Sequence, residues 1–127
     1  MEPIGPRRRT PDTLNPMNVY AICVDLIDGR EDVKFALAIQ AYLEHFVTQG
    51  FVESYSLERR KFGFGPESLG EFHVRILTKD LDSLDKAFMQ AATRSGEVEL
   101  LHREVFRRVK NFKAGLYRTF PDGVREL

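Results

Sequence analysis

Few residues in this chain could do acid–base or binding chemistry, and their spacing sorts them. In the run Glu71 to Thr78 (EFHVRILT) apolar and polar positions alternate. Phe72, Val74 and Ile76 therefore share one strand face, and His73, Arg75 and Leu77 the other. A histidine beside an arginine makes a patch suited to an anionic or phenolic group. The same pair could instead be satisfied by Glu53, Glu58 or Asp25, since a buried charge needs a partner. His102 lies beside Leu101 on the helical wheel, bordering an apolar arc and one turn from Phe106. There it could act as an acid–base group or ligand contact at the lip of a helix–sheet cleft. The plainer alternative is a half-buried imidazole bonded to a backbone carbonyl. His45 falls on the polar face of its helix and reads as surface.

A second group lies in Phe51 to Phe62 (FVESYSLERRKF). Alternation puts Tyr55, Leu57 and Arg59 on one face. Arg59 with Lys61 could hold an anion, or simply mark a solvated strand edge where cations discourage edge pairing. Tyr55 and Tyr117 could line a cleft, although aromatic residues more often pack in cores. Tyr42 belongs to a core stripe, and Cys23 reads as a small buried apolar residue. No three histidines show metal-ligand spacing, so neither a metal nor another cofactor is expected. Lys61-Phe62-Gly63-Phe64-Gly65 superficially resembles an RNA-binding strand core. Its glycines and phenylalanines are exchanged and Pro66 ends the run, so no nucleic acid partner is expected.

The elements that must position these residues alternate between two periods. Val19 to Ile27 is nearly all apolar and β-branched, a strand buried on both faces. Asp28-Gly29 ends it. A helix follows from about Glu31 to Gln49, with Phe35, Ile39, Tyr42, Leu43 and Phe46 on one stripe and Gly50 beyond its end. A strand in the first half of 51–62 and the strand 71–78 form a hairpin with a long turn-rich loop. Asp80 or Asp82 caps a helix to about Arg94, with Leu84 and Phe88 inward. Ser95-Gly96 breaks it, and a further helix runs from about Glu97 to Val109. A last strand spans about Lys113 to Phe120. The order β-α-β-β-α-β, with the second helix split, is the ferredoxin-like plan of class α+β: four antiparallel strands with the helices on one face. The first strand's other face is also apolar, and nothing in the chain covers it. A second copy is the economical cover, so a homodimer is expected.

The run GEFHVRILTKDLDSLDKAF, the broken helix, EVELLHREVFRRV and the closing KAGLYRTF together resemble the dimeric α/β-barrel superfamily. Stress-responsive barrel proteins and small cofactor-independent monooxygenases belong to it. The pattern RRK-x-GFGP-x-x-LGEFH, Arg59 to His73, is similar to an uncharacterised bacterial family. The resemblance covers roughly residues 18–122. It implies the fold and a dimeric barrel; the superfamily's range of activities leaves the reaction open.

Composition fits a small folded domain. The 127 residues are 43% hydrophobic and 30% charged, and nineteen basic residues balance nineteen acidic ones. Bulk charge thus favours neither nucleic acid nor a membrane surface, and no apolar run approaches the ~18 residues of a membrane span. With its single cysteine, the chain reads as cytoplasmic. Residues 1–17 hold four of the six prolines and read as a disordered tail before one domain over 18–122, with 123–127 a short C-terminal tail. The expected function is binding of a small, partly apolar molecule in a cleft between sheet and helices. The candidate contacts are His73, Arg75, His102, Tyr55, Arg59 and Tyr117. Alternatives are a cofactor-independent monooxygenase or isomerase using His73, His102 and a tyrosine, and a structural dimer module without a ligand.

Overall fold

The computed structural model describes residues 16–123. Of the expected tails, 1–17 and 123–127, residues 1–15 and 124–127 lie outside the described residues. Four strands form one antiparallel sheet: β1 (Asn18–Leu26), β2 (Ser54–Arg59), β3 (Phe72–Thr78) and β4 (Val109–Arg118), in the order β2-β3-β1-β4. Three helices accompany them, α1 (Asp32–Thr48), α2 (Leu81–Ala92) and α3 (Gly96–Phe106). This is the expected α+β, ferredoxin-like order with a split second helix.

Local chemistry sets the boundaries. Asp28 turns the chain out of β1 by accepting from the Arg30 N–H at 3.0 Å. Asp80 caps α2, accepting from the Ser83 N–H at 2.8 Å. Gly50 leaves α1 at φ +81, a conformation that suits a residue without Cβ. At the other sheet end, Met17 and Thr119 pair their backbones, with Thr119 N–H donating to Met17 O at 3.0 Å.

Two boundaries differ from the sequence reading. Strand β2 begins only at Ser54, because Phe51 and Val52 turn back to donate to Phe46 O, closing the end of α1. Strand β4 begins at Val109 rather than Lys113, and α3 stops at Phe106. Arg108 causes the change. Its buried guanidinium is held by Glu104 at 3.0 Å and by Glu31 at 3.3 Å, which pins the chain as Val109 enters register with Leu26. The strand then absorbs a bulge at Asn111 (φ +57), whose side-chain amide donates to Asp25 at 2.9 Å.

Register decides which face is covered. Tyr20, Ile22 and Val24 stand opposite Ile76, Val74 and Phe72, and these rows pack under the helices with Phe35, Ile39, Leu43 and Phe46. The intervening rows, Ala21 with Arg75 and Cys23 with His73, occupy the face without helices.

Candidate functional site

The helix side of the sheet opens into a cleft of about 300 Å³. Its floor is Tyr20, Ile22 and Ile76; its walls include Tyr42 from α1, Phe88 from α2, and His102 and Phe106 from α3. Aromatic rings share the walls with aliphatic side chains such as Leu43, Leu84 and Ala87. His102 stacks on Phe106 at 4.3 Å between ring centroids and 22° between planes. Tyr42 meets His102 edge to face at 5.7 Å, and Tyr20 meets Phe88 at 5.1 Å. Offset and edge-on contacts of this kind add to the area buried.

Three polar groups interrupt that surface. Burial raises the Tyr42 phenol to about 12, with smaller contributions from nearby Tyr20 and Glu99. Burial also raises Tyr20. Both phenols therefore stay protonated at neutral pH. His102 is half-buried and makes no hydrogen bond to any described residue, so the alternative of an imidazole tied to a backbone carbonyl is not met. The site offers phenol and imidazole donors and acceptors within an apolar, aromatic enclosure.

The six residues selected from sequence do not converge. Only His102 lines the cleft. His73, Arg75 and Tyr117 lie on the opposite face, along a separate groove. An acid–base pair of His73 with His102 is therefore not formed: Phe72, Val74 and Ile76 pack under the helices, and alternation sends His73 and Arg75 the other way. His73 Nε2 is bonded instead to Leu69 O at 2.6 Å. Tyr55 and Arg59 are on the helix side but lie outside the cleft, tied to carboxylates. The Tyr55 hydroxyl donates to Glu44 at 2.8 Å. Arg59 donates to Glu71 at 2.8 Å and to Asp32 at 3.1 Å, and lies 5.0 Å over the Phe72 ring. Both act as ties between β2, α1 and the start of β3.

Several residues escaped sequence reasoning. Tyr20 and Tyr42 carry polar atoms at positions that periodicity marks only as core. His45 is a bridge rather than plain surface, its Nε2 standing 2.8 Å from Gln90 Oε1 on α2. Glu99 and His102 have the Glu-x-x-His spacing that can build metal sites, but Glu99 pairs with Arg103 at 3.3 Å. Among the described residues no group of three His, Cys, Asp or Glu could hold a metal ion. Nor is any helix among them long and apolar enough to cross a membrane.

The fold and cleft define a small ferredoxin-like α+β domain. The chain belongs to DUF6614, a family of unknown function, whose model matches residues 17–127. A search of curated protein sequences returns no match. Among solved structures, the chain is similar to a mutant of SnoaB, a cofactor-independent oxygenase from Streptomyces nogalater. The TM-score is 0.61 at 11% identity, over 84% of this chain and 98% of that one. It is also similar to a dimeric ferredoxin-like protein of unknown function from Jannaschia sp. CCS1, with TM-score 0.59 and 8% identity over 80% and 97% of the two chains. A DABB family protein with a ferredoxin-like fold from Mesorhizobium loti matches at TM-score 0.56 and 10% identity, over 80% and 95%. At identities this low the likeness shows the fold alone.

Proposed function

We propose that this protein is a homodimer that binds a small, partly apolar molecule in the cleft between the sheet and the helices. One observation carries the ligand reading: about 300 Å³ of space walled by aromatic rings, into which two phenols and an imidazole with no hydrogen bond to a described residue project. The cleft's volume lies at the small end of ligand pockets, and its walls suit a flat, largely apolar molecule with one or two polar groups. Mass spectrometry of small molecules released from protein purified gently from its native host tests this. A recurrent aromatic or polyunsaturated compound supports it; repeated recovery of none, with the cleft indifferent to added aromatic probes, overturns it.

The dimer reading rests on the helix-free face. Ala21, Cys23 and Leu77 are partly exposed there, and no described helix covers them. A symmetric partner on this face should bury more than ~1,200 Å² in total, as stable interfaces do. Sedimentation as a monomer at micromolar concentration would contradict it. A cytoplasmic setting suits the lone thiol of Cys23.

A second reading, a cofactor-independent oxygenase or isomerase, is favoured by the contact of Tyr42 with His102 inside the cleft. Tyr42 would supply a proton and His102 accept one. The two rings touch without a hydrogen bond between them, so binding remains the leading account. Turnover of the recovered compound, lost in His102→Ala, would establish the enzyme.

A further inference from the structure

The helix-free face carries a groove of about 320 Å³ that the cleft does not reach. Small residues of the central rows make its floor: Ala21 and Cys23 on β1, and Gly115 opposite Ala21 on β4. Longer side chains stand on either side. Arg75 is the partner of Ala21 in β3, and Lys113 is the partner of Cys23 in β4. Their backbones are two strand spacings apart and offset by two residues along the strands, about 12 Å, a gap that both flexible side chains can close from opposite banks. Tyr117 bends over the same floor: a Cβ on Gly115 would come within 2.9 Å of Tyr117 Cε1. A larger residue at that position would push the ring aside.

The charges do not balance. Within the four strands the carboxylates are Asp25 and Glu58. Asp25 is occupied, accepting from the Glu71 N–H and from Asn111, both at 2.9 Å. Glu58 stands on the outer strand β2, opposite His73. Neither Arg75 nor Lys113 has an ion-pair partner among the described residues, and no carboxylate lines the groove. The Tyr117 hydroxyl likewise has no hydrogen-bond partner among them. Two cations and a phenol thus face one small-residue floor. Covering the face with a second copy would desolvate the cations, which makes a counter-anion more necessary.

We propose that this groove is a second binding site, specific for a carboxylate held by Arg75 and Lys113, with its apolar body lying on Ala21 and Cys23 beside the Tyr117 ring. Floor and walls come from one chain, across the sheet from the cleft, so the site does not depend on the cleft reading; it lies on the face that the dimer reading covers, and a carboxylate bound there would be enclosed against the second copy. Guanidinium and ammonium donors supply charge-assisted hydrogen bonds to the carboxylate, and the Tyr117 hydroxyl can add a third. The small residues admit a ring or short chain that a larger residue would exclude.

The test uses the full chain at low ionic strength, titrated with benzoate and, at matched ionic strength, with inorganic phosphate, while amide and side-chain NMR signals are followed. Benzoate should move signals of Arg75, Lys113 and Tyr117, and leave His102 still. Arg75→Gln and Lys113→Gln should each weaken benzoate about tenfold, the loss of one charge-assisted contact, with the rest of the spectrum preserved. Phosphate should bind more weakly, since it cannot use the apolar floor. Absence of shifts at these residues, or equal response to benzoate and phosphate, would overturn the site. Sedimentation of the same samples reports separately on the dimer, and a response of His102 reports on the cleft.

Discussion

The imidazole of His102 and the phenol of Tyr42 meet edge to face at 5.7 Å between ring centroids, and no described residue hydrogen-bonds to either. Two polar rings so placed, from different helices, keep their donors and acceptors available to a ligand. Packing on Phe106 and Phe46 fixes their orientation. Preorganisation of this sort lowers the entropy lost on binding.

Tyr42 should be measurable through its ionisation. Its folded-state value of about 12 stands above the ordinary 10.0. The unfolded chain therefore releases this proton first as pH rises. The stability involved is fully present below pH 10.0 and is lost as pH climbs toward 12. Ultraviolet titration should show a late-ionising phenol that is absent in Tyr42→Phe, and the variant should lose less stability across that range. A titration of Tyr42 at the ordinary value would show that the phenol is not enclosed.

Replacing His102 by Ala should separate packing from binding. The stacked Phe106 contact is worth about 1 kcal/mol, so a modest fall in the unfolding midpoint is expected. Binding of a cleft ligand should weaken about tenfold, the loss of one good contact. Loss of folded protein altogether would give His102 a packing role instead.

Gly70 is the tightest backbone approach in the loop before β3. It sits at φ +74, and a Cβ there would stand 3.0 Å from Val24 O and 3.1 Å from Val24 N. Gly70→Ala should cost about 2 kcal/mol, from left-handed strain together with displacement of β1. Urea unfolding measures it. An unchanged midpoint would mean that the loop moves freely, and the Leu69 contact to His73 would then be dispensable.

Alternation and helical period made the element order legible, and with it the fold. They also separated His73 and Arg75 from Phe72, Val74 and Ile76. They could not say which set meets the helices, because β1 is apolar on both faces. That choice is made by long-range register, Val24 with Phe72 and Ile22 with Val74. The wheel placed Val109 on α3 because its spacing from Val105 is helical. The ion pairs of Arg108 with Glu31 and Glu104 end the helix first, and they depend on a residue far away in sequence. The site was legible only at His102. Tyr20 and Tyr42 sit at core positions by every local criterion, and the cleft exists because side chains from three helices leave space above the sheet.

The most direct measurement is a titration of the full chain with a naphthol, a flat apolar molecule with one hydroxyl, followed at the ring signals of His102, Tyr42 and His73. The cleft account predicts saturable shifts at His102 and Tyr42, with His73 unchanged on the far face of the sheet. Shifts at His73 alone, or none at His102 and Tyr42 up to the solubility of the probe, would contradict it.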